Sequence, residues 1–169
     1  MSTGLTGEWL DRWSARLTSV AGPRAVRRAE PHDLAALDTL RADTGICSED
    51  LWTFYRHIGE VILPGDPALH LFPPSRVLAC HREDGPVTLL HAHDPAGIVI
   101  GADRTETLYV QDWGGAIHRS SDRQTPGFGP DEWVVHTTRG GRKKYYDFAY
   151  VAESVADFLT LVLETARQG

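Results

Sequence analysis

Three features of the 169-residue chain predict an α+β fold, with a mainly antiparallel or mixed central sheet flanked by helices. Residues 97–118 read as three short strands joined by two tight turns. Gly114-Gly115 supplies the positive φ that a two-residue hairpin turn requires. A largely helical stretch precedes this meander, and one long amphipathic helix closes the chain after it.

From the N-terminus, Leu5, Trp9, Trp13, Leu17 and Val20 recur at helical spacing with Leu10 beside them, predicting an amphipathic helix of about three turns that Gly22-Pro23 ends. Residues 1–25 are therefore read as a helical extension, and residues 26–169 as the α+β domain. Arg24, Arg27 and Arg28 mark a polar connector. A second helix follows, with Pro31 in its first turn, Leu34, Leu37 and Leu40 along one face, and Gly45 at its end. Ser48 then reads as the N-cap of a third helix, with Glu49 and Asp50 complementing the positive end of its dipole. Leu51, Phe54, Tyr55 and Ile58 form the buried stripe of that helix, and Gly59 is its expected stop.

Residues 63–76, with Pro64, Pro67, Pro73 and Pro74, are expected to be a loop. Strands are predicted at Val77–His81 and Val87–Ala92, then through the meander, where the apolar run Ile98–Ile100 is expected to be covered on both faces. Residues 120–130 read as a loop, Trp133–His136 as a strand, residues 139–144 as a basic turn and Tyr145–Val151 as the last strand. Ser154 caps the closing helix and Asp157, three residues on, completes a capping-box pattern. Val155, Phe158, Leu159, Val162 and Ala166 recur on one helical face, which should lie on the sheet.

Apolar residues make up 41% of the chain and charged residues 24%, as in ordinary globular proteins. No apolar run approaches the ~20 residues of a membrane span. Residues 1–7 lack the basic start and apolar core of a secretion signal, so a cytoplasmic protein is expected. The formal net charge of −6 argues against nucleic acid as a direct partner and is compatible with a basic protein partner. Basic charge comes almost wholly from arginine, and asparagine is absent, which points to GC-rich coding of the bacterial kind. Cys47 and Cys80 form no C-x-x-C or zinc spacing and read as reduced thiols.

With these elements placed, the chain resembles the SUKH superfamily, the Smi/Knr-type proteins, over roughly residues 30–165. Four segments carry the resemblance in order: the capped aromatic helix Ser48–Gly59; Ile98-Val99-Ile100-Gly101 and its polar turn; the strand, glycine turn and strand of Leu108–Ile117; and the closing Ala152-Glu153-Ser154-Val155-Ala156-Asp157-Phe158-Leu159. Cys47 stands where the family commonly has proline, and residues 102–106 lack the glycines usual in that turn. The resemblance implies a sheet flanked by helices. For a bacterial protein it implies an immunity protein that binds and blocks one cognate toxin domain, often a nuclease and so basic, without catalytic residues or cofactors.

The residues themselves offer several sites. Asp103, Glu106, Asp112 and Trp113 cluster at the turns of the meander. They read either as an interface, with an aromatic anchor and steering charges, or as a core tryptophan beside acids that solvate the turns. His91 and His93 in His91-Ala92-His93-Asp94 would project from one face of a strand. They could begin a zinc or iron site with a third ligand from His70, His81, His118 or His136, or simply line a half-exposed face. That is the alternative function, a metal-binding protein or small metal-dependent enzyme. A regulatory scaffold docking through a Trp9/Trp13 helix is a further alternative. Gly127-Phe128-Gly129 is no dinucleotide fingerprint and residues 140–144 are no phosphate-binding loop, since the required spacings are missing.

Overall fold

A computed structural model describes residues 4–45, 48–65, 68–84, 87–89, 96–104, 107–112, 114–123, 132–136 and 143–168. Five helices and nine strands follow in the order α1 (Gly7–Ala21), β1 (Val26–Arg28), α2 (Pro31–Thr44), α3 (Glu49–His57), β2 (Ile58–Leu63), β3 (Leu69–Leu71), α4 (Pro74–Asp84), β4 (Val87–Leu89), β5 (Ala96–Asp103), β6 (Leu108–Asp112), β7 (Ile117–Arg123), β8 (Glu132–His136), β9 (Lys143–Ala152) and α5 (Val155–Gln168). The α+β class is as expected. None of the described helices is long and apolar enough to cross a membrane.

The helix ends follow their local chemistry. Thr6 caps α1 by accepting from the Trp9 N–H, and Gly22 closes it with φ 102°. The Glu30 N–H donates to Asp33 Oδ2 at 2.8 Å in the first turn of α2, and Gly45 ends that helix in the left-handed region. Ser48 Oγ accepts from the Leu51 N–H and Ser154 Oγ from the Asp157 N–H, so both predicted serine caps form. On α2, Leu37 and Leu40 are buried, whereas Leu34 is 39% exposed and leaves the expected stripe.

Every strand pairing is antiparallel. The order is β1-β2-β3-β5-β4-β8-β9-β7-β6, and β5 also pairs with β6, so six strands form a closed ring of pairings with β1-β2-β3 appended. β5 makes this branch possible by its length. One of its edges takes β6, while the other takes β4 at Ala96 and Gly97 and β3 at Gly101–Asp103. The predicted meander is thus present as β5-β6-β7, and Gly115 turns its second hairpin at φ 94°.

Five expectations are corrected. The arginine connector is strand β1, with Val26 opposite Val61. Gly59 is no helix stop: α3 passes into β2 through Ile58, and Gly59 lies within the strand. The proline-rich stretch contains β3 and the start of α4. Val77–His81, with Cys80, belongs to α4 rather than to a strand. Pro74 suits a first helical position, and the adjacent Val77 and Leu78 are both buried, which strand alternation on one face would not allow. β7 also runs on to Arg123, into the segment read as a loop. Along β5, Ile98 and Ile100 are buried on one face and Val99 is half-buried on the other.

One apolar cluster joins Leu10, Trp13 and Leu17 of α1 to Phe54 and Tyr55 of α3, Ile58 and Val61 of β2, Ile98 and Ile100 of β5, and Phe158, Leu159 and Val162 of α5. Trp13 stands edge-on to Phe54, and Phe54 to Tyr55, at ring separations of 6.5 and 5.1 Å. The Tyr55 hydroxyl donates to the buried carbonyl of Phe72 at 2.8 Å, tying α3 to the segment between β3 and α4. Tyr55→Phe is therefore expected to lower stability by about 1 kcal/mol. Urea unfolding should show a lower midpoint with an unchanged slope.

Candidate docking face

The acids nominated at the meander turns are used by the fold. Asp103 Oδ1 accepts from the Thr107 N–H at 3.0 Å, holding the turn between β5 and β6, and its Oδ2 lies 3.6 Å from Arg119. Asp112 does the same one turn later: Oδ1 accepts from the Ala116 N–H at 3.0 Å and Oδ2 meets His118 Nε2 at 2.9 Å. Both are half-buried turn braces, so local structure accounts for these two acids. Glu106 and Trp113, the other two, lie outside the described residues, as do His91, His93 and Cys47.

Of the further histidines considered as ligands, His70 pairs with Glu60 across β3 and β2 at 2.5 Å, and His118 pairs with Asp112. His81 lies on α4, where burial holds its imidazole below the usual histidine value against the opposing pull of Asp43. Glu30, His32 and Asp33 are near enough to one another to share a cation. Arg27 already fills that role. Its guanidinium donates to both carboxylate oxygens of the fully buried Asp33, at 2.7 and 3.1 Å, and lies 3.6 Å from Glu30 and from Glu60. A metal would have to displace a bidentate arginine that already holds both carboxylate oxygens.

What the structure assembles instead is a face around the N-terminal half of α5. On one side, a cleft of about 660 Å³ opens between the N-termini of α3 and α5 and the Gly114-Gly115 turn. Its lining includes Ser48, Ser154 and four acids: Glu49, Asp50, Glu153 and Asp157. Behind it sits Gln111, fully buried, whose Nε2 donates to Ser48 Oγ at 3.0 Å and to the Gly115 carbonyl at 3.3 Å. The carboxamide thereby locks the cap of α3 to the turn of the β6-β7 hairpin. The acids complement both helix dipoles and leave the cleft mouth negative.

On the other side runs an apolar groove of about 410 Å³ between α5 and the sheet, walled by Phe158, Leu161 and Val162 and floored by Leu69, Tyr109 and Tyr150. Tyr150 is 61% exposed and Leu161 40%. Tyr150 stands edge-on to His118 at 6.0 Å, and His118 is in turn held by Asp112. The Tyr150 phenol is held above the usual tyrosine value, first by partial burial and then by the negative charges of Glu153, Asp157 and Asp112. Tyr150 itself lines the apolar groove.

No protein-family model, curated protein or solved structure matches this chain. The face accordingly stands on its own geometry. An exposed aromatic, an apolar groove and an acidic flank are the components from which protein interfaces are built, with the aromatic as anchor and the charges as steering groups.

The sequence read the lining residues it named in structural roles: Ser48, Glu49, Asp50, Ser154 and Asp157 at helix N-termini, and Phe158 and Val162 in the stripe of the closing helix. Leu161 lies off the stripe that seats α5, and its apolar character at an otherwise solvent-facing position was the available signal. Trp13, by contrast, is committed to the core: its indole N–H donates to the Leu159 carbonyl of α5 at 2.7 Å. Trp9 is half-buried against the same cluster.

Proposed function

We propose that this protein is a non-catalytic inhibitor, an immunity protein that binds and neutralises a cognate, basic toxin domain through a protein interface. The observation that carries the reading is the face just described, where α5 borders both an apolar groove lined by the 61%-exposed Tyr150 and an acid-lined cleft. The order of capped aromatic helix, glycine-turned meander and closing amphipathic helix supports it through the resemblance to the SUKH superfamily. The net charge of −6 supports it by favouring encounter with a basic partner.

Interfaces of this kind typically bury about 1,200–2,000 Å² in total. The groove and cleft together form a centre of that kind, with apolar surface at the anchor and acids at the rim. Coexpression with the cognate toxin domain is expected to restore growth, and the purified pair to elute as one complex. Absence of a complex from the purified pair would overturn the toxin assignment.

A further inference from the structure

We propose that the groove between α5 and the sheet seats a cationic amphipathic helix of a partner protein. The proposal rests on the binding reading above and names what the face takes.

Phe158, Leu161, Val162 and Thr165 line the groove at i, i+3, i+4 and i+7, so its wall is one helical ridge. The same helix already buries Val155, Leu159 and Leu163 in the core. α5 therefore carries more apolar surface than the sheet absorbs, and Leu161 is the surplus.

The floor decides between a strand and a helix as occupant. Leu69 is paired with Asp103, Tyr109 with Arg119, and Arg119 with Ala149. These strands meet partners along the groove, so an incoming strand would find no row of unpaired backbone groups there. A helix needs none, and a trough beside a helical ridge fits the ridges-into-grooves packing of a second helix.

Charge decides the sign. Asp157 and Glu164 flank Leu161 at i−4 and i+3 on the exposed side of α5, and the exposed Glu153 precedes the helix. Arg119, the one cation among the described lining residues, lies 3.6 Å from Asp103. A helix with lysines or arginines beside its apolar stripe meets complementary charge, whereas an acidic one is repelled.

The test is calorimetric titration of the full chain with a synthetic leucine/lysine peptide, about 15 residues long and amphipathic when helical, and with its leucine/glutamate counterpart. The lysine peptide should bind saturably, one per chain, and the glutamate peptide should bind at least about tenfold more weakly. Tyr150→Ala, Leu161→Ser and the Glu153→Lys/Asp157→Lys pair should each weaken the lysine peptide about tenfold. All three change exposed groups, and unaltered urea midpoints would show that the fold is intact. Equal affinity for the two peptides, no binding of either, or variants that bind like the wild type would overturn the proposal. Loss of the groove leaves the inhibitor reading standing if the toxin pair still forms. A failed toxin pair with intact peptide discrimination leaves the groove standing and removes the inhibitor reading.

Discussion

Arg27→Ala is expected to cost about 3 kcal/mol of folding stability and to change how stability responds to acid. Asp33 is fully buried, and Arg27 is the cation that holds both of its oxygens. Burial pushes the Asp33 carboxyl up. The Arg27 hydrogen bond, the Glu30 N–H and the charges of Arg27 and His32 outweigh it and hold the group below its ordinary 3.8. A carboxyl depressed in the folded state contributes stability above its unfolded value, and that contribution is lost as pH falls through the folded value.

Without Arg27, burial is opposed only by the weaker partners. The carboxyl rises, and its contribution then shrinks as pH increases. The stability difference between wild type and variant should therefore widen from about pH 3 to about pH 7, measured by urea unfolding at a series of pH values. Arg27→Lys should fall between the two, since an ammonium keeps the charge but not the fork. A loss independent of pH would show that the arginine acts by packing its stem alone. The same pair explains Gly59: a Cβ there would lie 2.7 Å from both the Arg27 guanidinium and Asp33 Oδ2. The glycine that reads as a helix stop instead clears space for the ion pair.

Trp13→Ala should cost about 3–5 kcal/mol, comparable with the whole stability of many domains. The indole fills space against Phe54, and its N–H closes a buried hydrogen bond to α5 across 146 residues of sequence. Trp13→Phe keeps most of the volume and loses only the donor, so about 1 kcal/mol is expected. Deleting residues 1–25 removes Leu10, Trp13 and Leu17 from the common core and should be at least as damaging as Trp13→Ala. Thermal unfolding of the three variants checks the order. A truncated chain that melts with the full-length protein would make α1 a detachable extension.

The parts of the fold that were legible in the sequence are those written locally. Ser48 and Ser154 announce helices because a cap needs only a hydroxyl and the next turn's N–H groups, and α5 shows its period over fourteen residues. The three-residue strands β1 and β3 carry no pattern of their own; only β2 and β5, far along the chain, define them. α4 was misread because Val77–His81 is too short for period to separate strand from helix. At the site, Asp103 and Asp112 admit two readings from sequence, charges facing a partner or acids that belong to the turns. Aspartate before a turn commonly bonds its own backbone, and both do so here. The groove depends on a helix from one end of the chain crossing strands from the middle, so no local pattern records it.

Asp112 braces the hairpin and holds His118, His118 stands edge-on to Tyr150, and Tyr150 lines the groove.

Inhibition by occlusion differs from inhibition by chemistry in its stoichiometry. Titrating the toxin domain's activity with this protein should give a linear fall that ends at one chain per toxin, with Tyr150→Ala needing a marked excess. An end point far below one-to-one, with toxin destroyed by substoichiometric protein, would mean turnover and contradict the reading of this molecule as a binding surface.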